Sequence, residues 1–87
     1  MKLREFKAIM LSKILSLKKE LLQKYHDKRE RIEELTDLLV NKTQNLRTFT
    51  LSDYIHTIYL ASREFKEFEK IIPPADIIEE LLRDEDY

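Results

Sequence analysis

The chain has no glycine in its 87 residues and no proline before Pro73. The residue that best supplies a positive φ is therefore missing, and the residue that most firmly breaks a helix is missing from the first 72 positions. Through this stretch runs an apolar series: Leu3, Phe6, Met10, Ile14, Leu17, Leu21, Tyr25, Lys28, Ile32, Leu35 and Leu39. Its steps are three or four residues, the spacing of a single helix face, and only Lys28 interrupts it. The spacing predicts one continuous helix over about 3–45, roughly 60 Å long. Ile9, Leu11, Leu15 and Leu22 widen the stripe beyond a coiled-coil seam, so this helix is expected to meet more than one neighbour.

A polar waist at residues 23–31 is the one place where the pattern weakens. Asp27 and Glu30 have the spacing of a capping box that would open a second helix. Against a break, Arg29–Glu33 and Asp27–Arg31 are i,i+4 ion pairs that favour an uninterrupted helix, and no turn former other than Asp27 is present. Continuity is the preferred reading. A break near residue 27 would instead give helices over 3–25, 28–45 and 51–71, packed as a three-helix bundle.

Helix propensity falls at residues 41–45, where Asn and Thr side chains compete for backbone partners. In the connection over 46–50, Leu46 and Phe49 are expected to fold back as an apolar plug. Thr50 is a candidate N-cap, with Asp53 favoured in the first turn. A second stripe, Leu51, Tyr54, Ile55, Ile58, Ser62, Phe65, Phe68 and Ile72, predicts a helix over 51–71 that Pro73 stops. Ala61 and Ser62 leave room for a close neighbour, and Tyr59 with Leu60 falls off the stripe, suggesting a second contact surface. Pro74 suits the start of a third helix over 75–84, whose apolar face is Ile77, Ile78, Leu81 and Leu82. An acidic tail follows. The fold class expected is all-α: a long N-terminal helix forming an antiparallel hairpin with a second helix, plus a short C-terminal helix, in one domain over 1–87.

Lengths then imply a partner. A second helix of about 22 residues covers only the C-terminal half of a first helix of about 42. The strip Leu3, Phe6, Met10, Ile14 and Leu17 is left exposed, and an apolar strip of several hundred Å² is abnormal on a monomer. These five residues are the expected partner-binding set. The partner is either another protein or a second copy in an antiparallel four-helix arrangement.

Charge is distributed unevenly. Residues 1–31 carry +6 and residues 32–87 carry −7. Either antiparallel elements or head-to-tail protomers attract each other, or the basic half meets a polyanion. Lys18, Lys19, Lys24, Arg29 and Arg31 are the candidate nucleic-acid contacts, with Tyr25 and His26 placed to stack on bases. They wrap around the helix and belong to no recognised nucleic-acid motif. Lys28 is expected to snorkel from the stripe, or to pair with Glu67 or Glu69.

Chemistry is sparse. There is no cysteine, so disulfides, thiolate metal sites and cysteine nucleophiles are excluded. His26 and His56 have no metal-ligand spacing, and adjacent acids such as Glu33–Glu34 and Glu79–Glu80 diverge on a helix. Neither a cofactor nor a catalytic role is expected. No run of about 18 apolar residues marks a membrane span, and lysines interrupt any signal-peptide core, so a cytoplasmic setting is expected. The functional expectation is a non-enzymatic accessory or adaptor subunit of a larger assembly. The basic half suggests a replication or transcription complex as host. The alternatives are a basic homodimer binding nucleic acid directly, or a small regulator of phage or plasmid type.

Overall fold

Tyr25 ends the first helix. In the computed structural model, which describes residues 1–83, its φ and ψ are −121° and 76°, outside the helical region, although its N–H still bonds the Leu21 carbonyl at 2.8 Å. Helix α1 therefore spans Leu3–Lys24, a single 3₁₀ turn follows at His26–Lys28, and α2 spans Arg29–Gln44. The continuous helix expected over 3–45 is a hairpin, closed at its far end where the Lys7 Nζ donates to the Gln44 carbonyl. The cause lies far along the chain. The Tyr25 ring packs edge-on to Phe65 with centroids 5.2 Å apart, and its hydroxyl donates to the Glu67 carboxylate at 3.0 Å. The Asp27–Glu30 capping box does not form, and α2 begins without a side-chain cap.

Helix α3, Leu51–Glu64, returns antiparallel to α2. Arg31 grips Glu64 at one end, with Nε to Oε2 at 2.8 Å, and Lys42 meets Asp53 at 2.8 Å at the other. Thr43 and Tyr54 bond across the buried seam at 2.7 Å. Thr36 and Thr43 sit inside the core because each hydroxyl donates back to a carbonyl one turn earlier, Ile32 and Leu39 respectively. Thr50 occupies the N-cap position but makes no side-chain cap; its hydroxyl donates instead to the Arg47 carbonyl.

The second expected helix also stops early. Phe65 is extended, and Lys66–Ile71 form a 3₁₀ helix, not the last turns of an α-helix over 51–71. The apolar spacing explains this. Phe65, Phe68 and Ile71, all buried, recur every third residue, a spacing that three residues per turn brings into one line where an α-helix would fan it over about 120°. Pro73 then ends the segment. The Pro74 carbonyl accepts from the N–H groups of Ile77 and Ile78, so this proline opens α4, Ala75–Arg83. The expected last helical residue, 84, and the acidic tail to Tyr87 lie outside the described residues.

The 3₁₀ segment and α4 together run back down α1. Glu67 pairs with Lys24 at 2.6 Å, Lys70 with Glu20 at 2.7 Å, and Glu80 with the Met1 ammonium at 2.6 Å. The described chain is thus all-α: a helical hairpin, a third helix and a broken fourth limb, in up-down-up-down order around one core.

Candidate docking face

The strip expected to meet a partner lies in this chain's own core. Phe6, Met10, Ile14 and Leu17 are buried, Ile14 with 0% of its surface exposed, and Leu3 packs half-buried against them. The reason is the break at Tyr25. It halves the length that later segments must cover, and α2 together with the fourth limb covers it. The exposed strip that called for a partner is absent.

The candidate nucleic-acid contacts fare unevenly. Lys24 is bonded to Glu67, Arg29 meets Glu33 at 3.5 Å, and Arg31 reaches both Glu34 and Glu64. Lys18 and Lys19 enter none of these pairs. The asymmetric charge therefore has a use inside the fold: at Lys24–Glu67, Arg31–Glu64 and Met1–Glu80, a cation of the first 31 residues meets an acid of the rest. The electrostatics at the joint follow the same logic. The Lys24 ammonium, hydrogen-bonded to Glu67, holds that carboxyl below the usual range despite its 7% exposure. In return Glu67 raises the Lys24 ammonium and the Tyr25 hydroxyl above their ordinary values. Lys28 is exposed and pairs with neither Glu67 nor Glu69.

His26 and His56 are both exposed, and among the described residues no cluster of His, Asp and Glu could hold a metal ion. No helix of the described residues is long and apolar enough to cross a membrane. Nor does any buried side-chain nitrogen or oxygen among them lack a hydrogen-bond partner.

Among the described residues the exposed large apolar side chains are spread over several elements, Ile9 and Leu15 on α1, Leu38 on α2, Tyr59 and Leu60 on α3 and Leu82 on α4, and Phe49 is the most exposed of them. Leu46 is buried as expected, but Phe49, its companion in the expected plug, is 86% exposed. The backbone forces this. Thr48–Thr50 form one 3₁₀ turn, closed by Thr50 N–H to the Arg47 carbonyl and by Arg47 N–H to the Thr50 hydroxyl, each at 3.0 Å. With Leu46 and Leu51 buried on either side, the ring between them points out. Beside it lies a groove of about 300 Å³ lined by Thr48, Phe49, Leu51, Ser52, Ile55, Ile78 and Leu82. Leu82 is exposed, and Ile55 and Ile78 are half-buried. Tyr59, one turn beyond Ile55 on α3, is 52% exposed, and its neighbour Leu60 is exposed as well. Leu15, at 58%, stands on the outer side of α1. Sequence reasoning missed the exposure of Phe49; the available signal was a lone aromatic set between two threonines, with no apolar residue at helical spacing to its C-terminal side until Leu60. No family model, curated protein or solved structure matches this chain.

Proposed function

We propose that the chain is a non-enzymatic helical interaction module, a small accessory subunit that docks on a larger protein through the groove beside Phe49. The observation that carries this is the near-complete exposure of a phenylalanine on a hydrogen-bonded turn, next to an open apolar groove. A mobile apolar ring can turn inward; one fixed outward on a closed turn has no such escape, and exposed contiguous apolar surface is characteristic of contact sites. The occupant fitted by the groove is an apolar helix of another protein flanked by basic residues. Groove-lining α4 carries the exposed acids Asp76, Glu79 and Glu80 against one Arg83, and the sequence adds Asp84, Glu85 and Asp86 directly after it. The charge asymmetry that suggested a replication or transcription host is answered by internal ion pairs, so this reading stands on the apolar face and not on the charge.

The test is a comparative pull-down followed by reconstitution with the purified candidate. Wild type is set beside Phe49→Asp, Leu82→Asp and the double charge reversal Lys18→Glu/Lys19→Glu. A partner that binds wild type and the lysine variant, but loses at least about tenfold in affinity with Phe49→Asp, supports the module. A partner indifferent to Phe49 and Leu82 overturns it. So does nucleic-acid binding that falls steeply with salt and drops on reversal of Lys18, Lys19, Arg29 and Arg31, the behaviour of a direct nucleic-acid binder.

A further inference from the structure

The joint between α1 and α2 is short, and it is made of residues that can all be helical. Tyr25 has a ψ of 76° and Lys28 a φ of −118°; no residue of the joint has a positive φ, and the joint contains neither glycine nor proline. The reversal is made by these two residues and the 3₁₀ turn His26–Lys28 between them. The apolar series also passes through the joint without losing phase. Leu17, Leu21, Tyr25, Lys28, Ile32, Leu35 and Leu39 are separated by three or four residues throughout. If the joint straightened, the core faces of α1 and α2 would fall on one side of a single helix. A loop evolved only to reverse the chain has no need to keep that phase.

We propose that the chain exchanges α1 with a second copy, forming a two-fold dimer in which residues 3–44 become one helix. Two such helices lie antiparallel. The α1 half of each packs on the α2, α3 and fourth limb of the other, in the places that its own α1 fills in the closed form. Every core contact of Phe6, Met10, Ile14, Leu17 and Leu21 is then remade between chains, so the two forms differ chiefly at the joint and in the cost of association. Straightening gains backbone hydrogen bonds at residues 25–28. What opposes it is local: the Tyr25 hydroxyl on Glu67 and the Tyr25 ring on Phe65. This exchange is independent of the groove beside Phe49, which lies at the opposite end of α2.

The experiment has two parts. His26→Ala/Asp27→Ala raises helix propensity at two exposed positions without touching the core, and Tyr25→Phe added to it removes the hydroxyl that holds the joint closed. By light scattering during size exclusion, the double variant is expected to dimerise at least about tenfold more tightly than wild type, and the triple variant more tightly still. Inserting two glycines after His26 should return the monomer. To distinguish exchange from surface association, Lys7→Cys and Gln44→Cys are placed in separate copies of the double variant, since the Lys7 side chain reaches the Gln44 backbone carbonyl across α1 and α2. The copies are mixed, refolded at high concentration and treated with a short bifunctional thiol crosslinker. A crosslink between the two different copies is the expected result. Dimers without that crosslink, or a double variant that keeps its helical circular dichroism but stays monomeric at millimolar concentration, overturn the proposal.

Discussion

Replacing Thr43 by Val should destabilise the protein more than replacing Tyr54 by Phe, although the two changes remove opposite ends of one hydrogen bond. The Thr43 Oγ1 lies 2.6 Å from the Leu39 carbonyl and 2.7 Å from the Tyr54 hydroxyl. A carbonyl has no proton to give, so the threonine proton goes to Leu39 and Tyr54 is the donor to Thr43. Burial pushes the Tyr54 hydroxyl up from its ordinary pKa, so it keeps that proton at neutral pH. Tyr54→Phe leaves Thr43 still donating to Leu39 and loses one ordinary bond, about 0.5–1.5 kcal/mol. Thr43→Val leaves a hydroxyl with 1% residue exposure and no acceptor, and an orphaned buried donor costs about 1–3 kcal/mol. The double variant has no orphan, so it should be no less stable than Thr43→Val alone. With an m-value of about 1 kcal/mol/M in urea, midpoints should fall by about 1 M for Tyr54→Phe and about 2 M for Thr43→Val. Equal costs, or a double variant whose loss equals the sum of the singles, would refute the donor assignment.

Ile14→Ala should cost about 2–5 kcal/mol in the same titration, as a fully buried side chain deep in the core, whereas an Ile14 that served an outside partner would tolerate the change. Phe49→Ser should leave stability within about 0.5 kcal/mol, since its ring is outside the core; a larger loss would mean that the ring packs in solution. Glu67→Gln should flatten the acid limb of stability against pH. The Glu67 carboxyl titrates below its ordinary value, so its contribution is present above the unfolded value near pH 4.3 and fades as pH falls through the lower folded one. An unchanged acid limb measured by circular dichroism would show that other carboxylates govern it.

The faces of the helices were legible in the residues, as were the ends near 45, 51 and 75; the residues left the break at Tyr25 open and did not mark the one at Phe65. The steps through Leu3, Phe6, Met10, Ile14, Leu17 and Leu21 name the buried face of α1, and Leu51, Tyr54 and Ile58 that of α3. Periodicity is a local property, and burial follows from it wherever some neighbour arrives. The helix end at Tyr25, without glycine or proline, is decided by distant contacts. The polar waist at 23–31 marks where a break can fall, near residue 27, but that the helix does break there follows from Phe65 and Glu67, which receive Tyr25. The Phe65–Phe68–Ile71 spacing could have been read, since a strict step of three with polar residues between does not suit an α-helix; pairing Phe68 with Ile72 hid it. The docking face failed for a related reason. Phe49 was placed inside by its hydrophobicity, while the hydrogen bonds of a three-residue turn turned it outside.

The 3₁₀ winding of Lys66–Ile71 also sets how far the chain can reach. At about 2.0 Å per residue these six residues advance about 12 Å, where an α-helix would advance about 9 Å. With the three residues of 72–74 and nine of α4, the limb attains roughly the 33 Å of the 22-residue α1 from four fewer residues. Rewinding those six residues as α-helix would pull α4 back about 3 Å and rotate it by about a third of a turn. Leu81 would leave its seat and Glu80 would swing away from the amino terminus. A short stretch of tighter helix thereby acts as the ruler that sets where α4 is seated along α1.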